Sequence, residues 1–452
     1  GTVPNSRQRP RRRPSGNGRS LAAERPDALR AAAWQNLGMA ATTGGESIAP
    51  GFARFWWAEA VSGFGTAITL LALQTLVVVT LQSDAVAVGW LNTFRWLPYL
   101  VLGLVVGAMV DRVRRRPVMI VTDLTRAVLL AAIPLAWVLG VLTFPTLMVI
   151  VVLFGTVSLV NDGASQSFIP RLVPRSALQR AHARLDGADA VAQTAGPAVG
   201  GALIRLVGAP LAVLVDAASY LFSALMLTTL RVSEPAPVAE RWSFRRFGGE
   251  VAAGVRWVYG ESGLRRMAVA TQVWFAGQAT LLVVVVPFAY LQLGLSALQL
   301  GLVFALAGVG AVVGAATSTR VGRRLGTGGA IWCANLTSAA GVVVMAGAAL
   351  APTGWLAAAV LALGQLGHGW SMGLSNSHEM TFRQALTPDE LQARTNTTLR
   401  SLNRAVIVVV SPLAGLCADR FGFVAALAAA AAIFASAALM LILSPLRRVR
   451  IE

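Results

Sequence analysis

Four side chains in this sequence could take up or release a proton from within apolar runs: Glu59, Asp162, His368 and Glu379. A carboxylate near the middle of a membrane-spanning helix costs about 2.5–3.5 kcal/mol on insertion scales, so it faces water or a partner. The three acids stand toward one end of their runs, where that cost falls, and a coupling or gating role is weighed evenly against plain packing. His368 stands near the middle of its run. It is the side chain best suited to change charge near neutral pH, although a hydrogen-bonded packing histidine fits the pattern equally well. Arg95 and Asp216 are further charges inside apolar runs, and Arg95 could pair with a carboxylate to hold two helices together.

Two enzyme motifs lie close by. Gly369-Trp370-Ser371-Met372-Gly373 matches the nucleophile elbow, but that motif needs a strand-to-helix turn and here falls inside an unbroken apolar run. His378-Glu379-Met380-Thr381-Phe382 begins like a zinc-protease site, but Phe382 replaces the second histidine and, apart from His368, only His182 remains elsewhere. No catalytic residue, metal or cofactor is therefore expected. The chain contains no lysine, which removes both a Walker A phosphate loop and a Schiff base. Cys333 and Cys417 lie within apolar runs and are expected to be packing residues without a disulfide framework.

The elements that must carry these groups are the runs themselves. The chain is 56% hydrophobic and 13% charged, against about 25% charged for soluble domains. Its apolar residues fall in about twelve blocks, near 55–81, 86–110, 117–140, 146–169, 187–207, 210–231, 266–291, 297–319, 329–350, 355–380, 399–418 and 422–445. Each is roughly the 20 residues a helix needs to cross a bilayer. The net charge of +18 is concentrated in part in short loops at 111–116, 171–184 and 320–324, whereas the loops near 82–86, 141–145, 291–296 and 351–354 contain no arginine. That alternation places both termini in the cytoplasm and speaks against nucleic acid. Residues 1–52 are expected to be a disordered basic tail. They form a solvated extension, an anionic-lipid contact, or a segment upstream of a start at Met39, and no cleavable signal peptide is expected. Residues 232–265 form the longest internal polar stretch and include a segment patterned as an amphipathic surface helix. They separate a first bundle at 53–231 from a second at 266–446, with a short tail at 447–452.

The halves repeat. SFIPRLVP at 167–174 is echoed 214 residues later by TFRQALTP, and GPAVGG at 196–201 is echoed 215 residues later by SPLAGL. The expected fold is thus an all-α membrane protein with twelve transmembrane helices in two pseudo-symmetric six-helix bundles, its site near mid-membrane. Spans 1, 4, 7 and 10 carry polar stripes within arcs of roughly 100–140°, which would face one central route. Glu59 and Thr66 lie on span 1, Asp162 on span 4, Trp274 and Gln278 on span 7, and His368, Met372 and Glu379 on span 10. Serine and threonine also pack well between membrane helices, so many of the stripe residues need touch no ligand.

Gly107-x3-Asp111-Arg112-x2-Arg115-Arg116 resembles the loop 2–3 signature of the major facilitator superfamily, with Arg114 at the place of a usual glycine. The resemblance implies that Asp111 braces the end of a neighbouring helix while the arginines meet carboxylates, stabilising an outward-facing state. A carboxylate at a helix N-terminus contributes a few tenths to about 1 kcal/mol. Thr319 replaces the aspartate in the second half, so that brace is expected to be weaker. Gly196-Pro197-x2-Gly200-Gly201 resembles the antiporter motif of the same superfamily, with Ala183 and Ala192 at the upstream glycine places. The runs LPYLVLGLVVGAMVDRVRRRPVMIVTDLTRA and GAPLAVLVDAASYLFSALMLTTLR resemble bacterial drug and siderophore exporters of the macrolide-efflux and enterobactin-exporter kind, over about residues 52–446. The resemblance implies a proton-driven exporter of an amphipathic small molecule in the bacterial cytoplasmic membrane, working as a monomer. Trp274 and Met372 would supply adaptable apolar contact. A proton-symport importer, a lipid flippase and a non-transporting receptor are the alternatives on the same scaffold.

Overall fold

The computed structural model describes residues 50–110, 112–232, 234, 244–260 and 263–449. Residues 1–49 of the expected tail, 235–243 of the linker, Asp111 and residues 450–452 lie outside them. The described residues all belong to one compact unit. The described elements are helical: α1 (Pro50–Thr75), α2 (Ala85–Val101), α3 (Gly103–Val110), α4 (Arg115–Val138), α5 (Phe144–Leu172), α6 (Leu178–Val207), α7 (Ala209–Thr228), α8 (Phe244–Tyr259), α9 (Arg265–Pro287), α10 (Ala297–Gly347), α11 (Trp355–Leu386), α12 (Asp389–Phe421) and α13 (Phe423–Ile442).

Nine helical segments among the described residues are long and apolar enough to cross a membrane. Four expected blocks differ from that pattern for identifiable reasons. The block at 86–110 is split at Leu102 into α2 and α3, just beyond Pro98, whose ring cannot donate a helical hydrogen bond. The blocks at 297–319 and 329–350 join end to end in the 51-residue α10, which is broken by the non-helical Gly326 (φ 76°, ψ 171°). Helix α11 is long enough, but Gln365, His368, Ser371, Ser375 and Asn376 lower its hydropathy. The amphipathic segment forms helix α8, where Gly254 packs against Thr398 and the Arg394 carbonyl of α12.

The turns repeat more faithfully than the sequence does. Left-handed residues pair as Gln82 with Gly294, Gly140 with Gly354, and Gly208 with Gly422, at offsets of 212, 214 and 214. Gly208 and Gly422 are each the sole link between two helices, and only a residue free of a Cβ adopts φ of 83° and 86° there at no steric cost. The π-turns Leu76–Thr80 and Phe288–Gln292 match at offset 212, as do the capping residues Asp84 and Ser296.

The halves meet along two helix pairs, α2 with α12 and α6 with α10. A Cβ on Gly89 would stand 2.6 Å from the Ser411 carbonyl, and one on Gly301 would stand 2.3 Å from the Pro197 carbonyl. Gly415 against Ala85 and Gly201 against Ala297 repeat the relation. These are two copies of one crossing. Gln74 Nε2 donates to the Leu282 carbonyl at 3.1 Å, and the Thr75 and Tyr290 hydroxyls are bonded at 3.0 Å. The crossings and these bonds lie toward the end that carries the loops at 81–84 and 293–296.

Candidate functional site

Duplication also relates two carboxyl groups. On α1, Glu59 Oε1 accepts a hydrogen bond from Ser165 Oγ of α5 at 2.9 Å. On α11, Glu379 Oε2 accepts one from Thr271 Oγ1 of α9 at 3.2 Å. Glu59 stands at offset 212 from Thr271, and Ser165 at offset 214 from Glu379. Each half thus has one carboxyl–hydroxyl pair at equivalent positions, with the acid on the first helix in one half and on the fourth in the other. A single neutral donor leaves each carboxyl with lone pairs free for water or a proton.

Beside Glu59, a cavity of about 190 Å³ opens within the first half, lined by Thr66, Arg95, Trp96, Tyr99, Asp162 and Tyr220 among others. The Thr66 and Tyr220 hydroxyls are bonded at 2.8 Å, and Tyr99 Oη donates to Asp162 Oδ2 at 2.8 Å. Arg404 of α12 reaches across from the second half, its Cζ 4.4 Å from the Tyr99 ring centre and 5.6 Å from that of Trp96. A cation over an aromatic face gains about 0.5–2 kcal/mol, so this contact ties the halves at mid-height.

Reaching the cavity through Arg126 is a polar cluster that single-residue reading of the sequence misses. Asp123 is ion-paired with Arg126 and accepts from Ser223 Oγ at 2.6 Å and Asn161 Nδ2 at 3.1 Å. Arg126 covers the Tyr220 ring at 4.1 Å. The i, i+3 spacing of Asp123 and Arg126 inside an apolar block was the available signal. Asp216 is fully buried and accepts from Ser219 Oγ at 3.0 Å.

In the second half the polar stripe of α11 divides. Met372, Asn376 and Glu379 keep exposed or half-exposed surface, whereas Gln365, His368, Ser371 and Ser375 are buried. His368, only 4% exposed, stacks on Trp274 with ring centres 6.2 Å apart. Its Nε2 lies 2.8 Å from Gln278 Oε1 and its Nδ1 3.1 Å from Ser338 Oγ, which is in turn bonded to Ser371 Oγ at 2.7 Å. The span-10 stripe thus divides between an exposed part and a part buried within the second half. Trp274, Gln278 and His368 form a knot inside the second half, because α9 and α10 close over that face.

The loop signature is only partly described. Gly107 lies in α3 and Arg112 in the turn after it, while Asp111 lies outside the described residues. The Arg115 and Arg116 amides donate to Glu234 at 2.6 and 2.9 Å, so a carboxylate just past α7 caps α4. Arg116 Nε and Nη2 donate to the Leu227 and Thr228 carbonyls, capping the C-terminal end of α7. Pro197 lies inside α6. Gly196 and Gly200 face Ala67 and Ile68 of α1, and Gly201 faces α10, so the antiporter-like motif is a two-sided packing surface.

This architecture is that of a multi-pass helical membrane protein with a carboxyl–hydroxyl pair repeated in each half. The family model described as "transmembrane secretion effector" matches residues 48–452, and the chain belongs to that family of major facilitator superfamily transporters. It is 30% identical over 223 residues to the multidrug efflux pump Tap of Mycolicibacterium fortuitum, covering 47% of this chain and 53% of that protein. It is 26% identical over 235 residues to the uncharacterized MFS-type transporter y4rN of Sinorhizobium fredii, covering 52% and 57%. The matches thus span a little over half the length of these relatives. Among solved structures, a bacterial homologue of the iron transporter ferroportin in an inward-facing state aligns with TM-score 0.67 at 14% identity, over 87% of this chain and 100% of that one. A POT family transporter aligns with TM-score 0.68 at 10% identity, over 87% and 95%. The family and these neighbours are membrane transporters, not enzymes.

Proposed function

We propose that the chain is a secondary exporter that ejects an amphipathic small molecule in exchange for inward protons. It would act as a monomer in a bacterial cytoplasmic membrane, with both termini cytoplasmic. Its helices would make twelve crossings in two six-helix bundles, 53–231 and 266–446, joined by the linker at 232–265. The twelve result from counting α2 with α3 as one crossing, α10 as two and α11 as one.

The observation that carries this reading is the duplicated carboxyl–hydroxyl pair, Glu59 with Ser165 and Glu379 with Thr271. An acid held in an apolar run by one weak donor suits a group that is protonated on one side and released on the other. Crowding of inter-half contacts toward the loops at 81–84 and 293–296 supports a conformation closed at that end, which the arginine-free loops mark as external. The relative named a multidrug efflux pump supports the export direction, as does the antiporter-like Gly196-Pro197-x2-Gly200-Gly201. The longer runs support the bacterial drug and siderophore exporter branch.

Everted membrane vesicles with an acidified interior test it. A panel of amphipathic dyes is expected to accumulate in them. Glu59→Gln and Glu379→Gln are each expected to lose gradient-driven accumulation yet keep gradient-independent exchange. Gradient-stimulated uptake into right-side-out vesicles, or undiminished accumulation by both variants, would overturn the reading.

A further inference from the structure

The cations and anions around the first-half cavity are unequal in their pairing. Arg126 is paired with Asp123 and lies over Tyr220. Arg404 lies over Tyr99 and Trp96. The one carboxylate on the lining, Asp162, is held by the Tyr99 hydroxyl. Asp123 is saturated by Arg126, Asn161 and Ser223, and Asp216 is bonded to Ser219 and is not on the lining. Among the described residues Arg95, like Arg404, has only a cation–π contact, but unlike Arg404 it lies on the cavity lining. Its guanidinium borders the cavity and rests 5.2 Å from the Trp96 ring centre, and among the described residues it has no hydrogen bond or ion pair.

A guanidinium offers five donors in a planar fork that fits a carboxylate or phosphate with two parallel bonds. Leaving it unpaired among helices is costly, and a protein retains such a group where something else completes it. The rest of the lining suits the remainder of such a molecule. Trp96, Tyr99, Phe154 and Tyr220 supply aromatic surface, and Thr66 supplies a hydroxyl. The volume of about 190 Å³ accommodates a charged head with an attached ring, not a whole large drug.

We infer that this cavity binds the anionic group of an amphipathic organic anion, with Arg95 as its counter-ion and the aromatic wall holding an adjoining planar body. The inference rests on the transporter reading for its purpose and deepens it by naming a substrate class. The commitment is to an acid rather than to a lipophilic cation.

The test separates binding from transport. The full chain, purified in detergent, is dialysed to equilibrium against 2-naphthoate, the uncharged 2-naphthamide and the cationic 2-naphthylmethylammonium. The acid is expected to bind about tenfold or more tighter than the amide, as a charge-assisted hydrogen-bond pair requires. Arg95→Gln is expected to erase that preference, and Arg95→Lys to retain part of it while losing the two-bond geometry. Both variants are checked for an unchanged thermal midpoint and a monodisperse profile, and if Arg95→Gln fails that check, the wild-type ranking of the three ligands decides. Equal binding of acid and amide, preference for the cation, or a preference that survives in Arg95→Gln would overturn the inference. Acid preference without gradient-driven accumulation would remove the exporter reading and leave the site standing. Accumulation of dyes without acid preference would do the reverse.

Discussion

At the scale of single residues, the buried histidine is held through both of its ring nitrogens. His368 Nε2 donates to Gln278 Oε1 and its Nδ1 is hydrogen-bonded to Ser338 Oγ, which fixes the ring's orientation. Gln278→Leu would leave the buried N–H unpaired and is expected to cost about 1–3 kcal/mol, read as a lower thermal midpoint in detergent. Adding His368→Phe should restore most of that loss, since removing both partners together is nearly neutral. A Gln278→Leu protein as stable as the parent would show that this bond does not hold the fold. Glu59 and Glu379 differ in kind. Each keeps half-exposed surface and one weak donor, so neither is committed to one charge state by its hydrogen bonds.

At the scale of elements, packing between the halves depends on glycines at the two crossings. Gly301→Leu would drive a side chain into the Pro197 carbonyl and is expected to cost the present packing about 1–3 kcal/mol. The outcome to measure is a gain in reactivity toward water-soluble thiol reagents at a cysteine placed at Thr75, near the same end. Gly89→Leu, its counterpart, should act with the same sign. Unchanged reactivity in both variants would mean that the crossings do not control closure. Much at this scale was legible in the sequence, because a run of about 20 apolar residues and a turn glycine each have one dominant physical meaning. The fusion within α10 was not, since RVGRRLGTGG carries the charge and glycine of an ordinary loop. The break at Leu102 lies in an unremarkable apolar run and follows from Pro98 one turn earlier. The division of the α11 stripe was hidden because periodicity fixes which residues share a face, not what covers it. Arg404 was hidden for a related reason: its aromatic partners lie about 300 positions away in the chain.

At the scale of the whole molecule, closure at one end implies access from the other. In a background with Cys333 and Cys417 replaced by alanine, cysteines at Asp162 and Asn376 are expected to react with a membrane-impermeant maleimide in everted vesicles. A cysteine at Thr75 is expected to be slow in the same vesicles. Equal labelling of the three would remove a one-sided opening. The two copies of the α2–α12 crossing also constrain how such an opening could reverse. Two rigid bodies touching at two separated points share an axle, the line through those points, and while both touches hold they can only pivot about it. Sliding or tilting in any other direction would require one fulcrum to lift off first. The ancestral duplication thus left more than a second set of helices: it supplied the second bearing that reduces a floppy pair of bundles to a mechanism with a single swing.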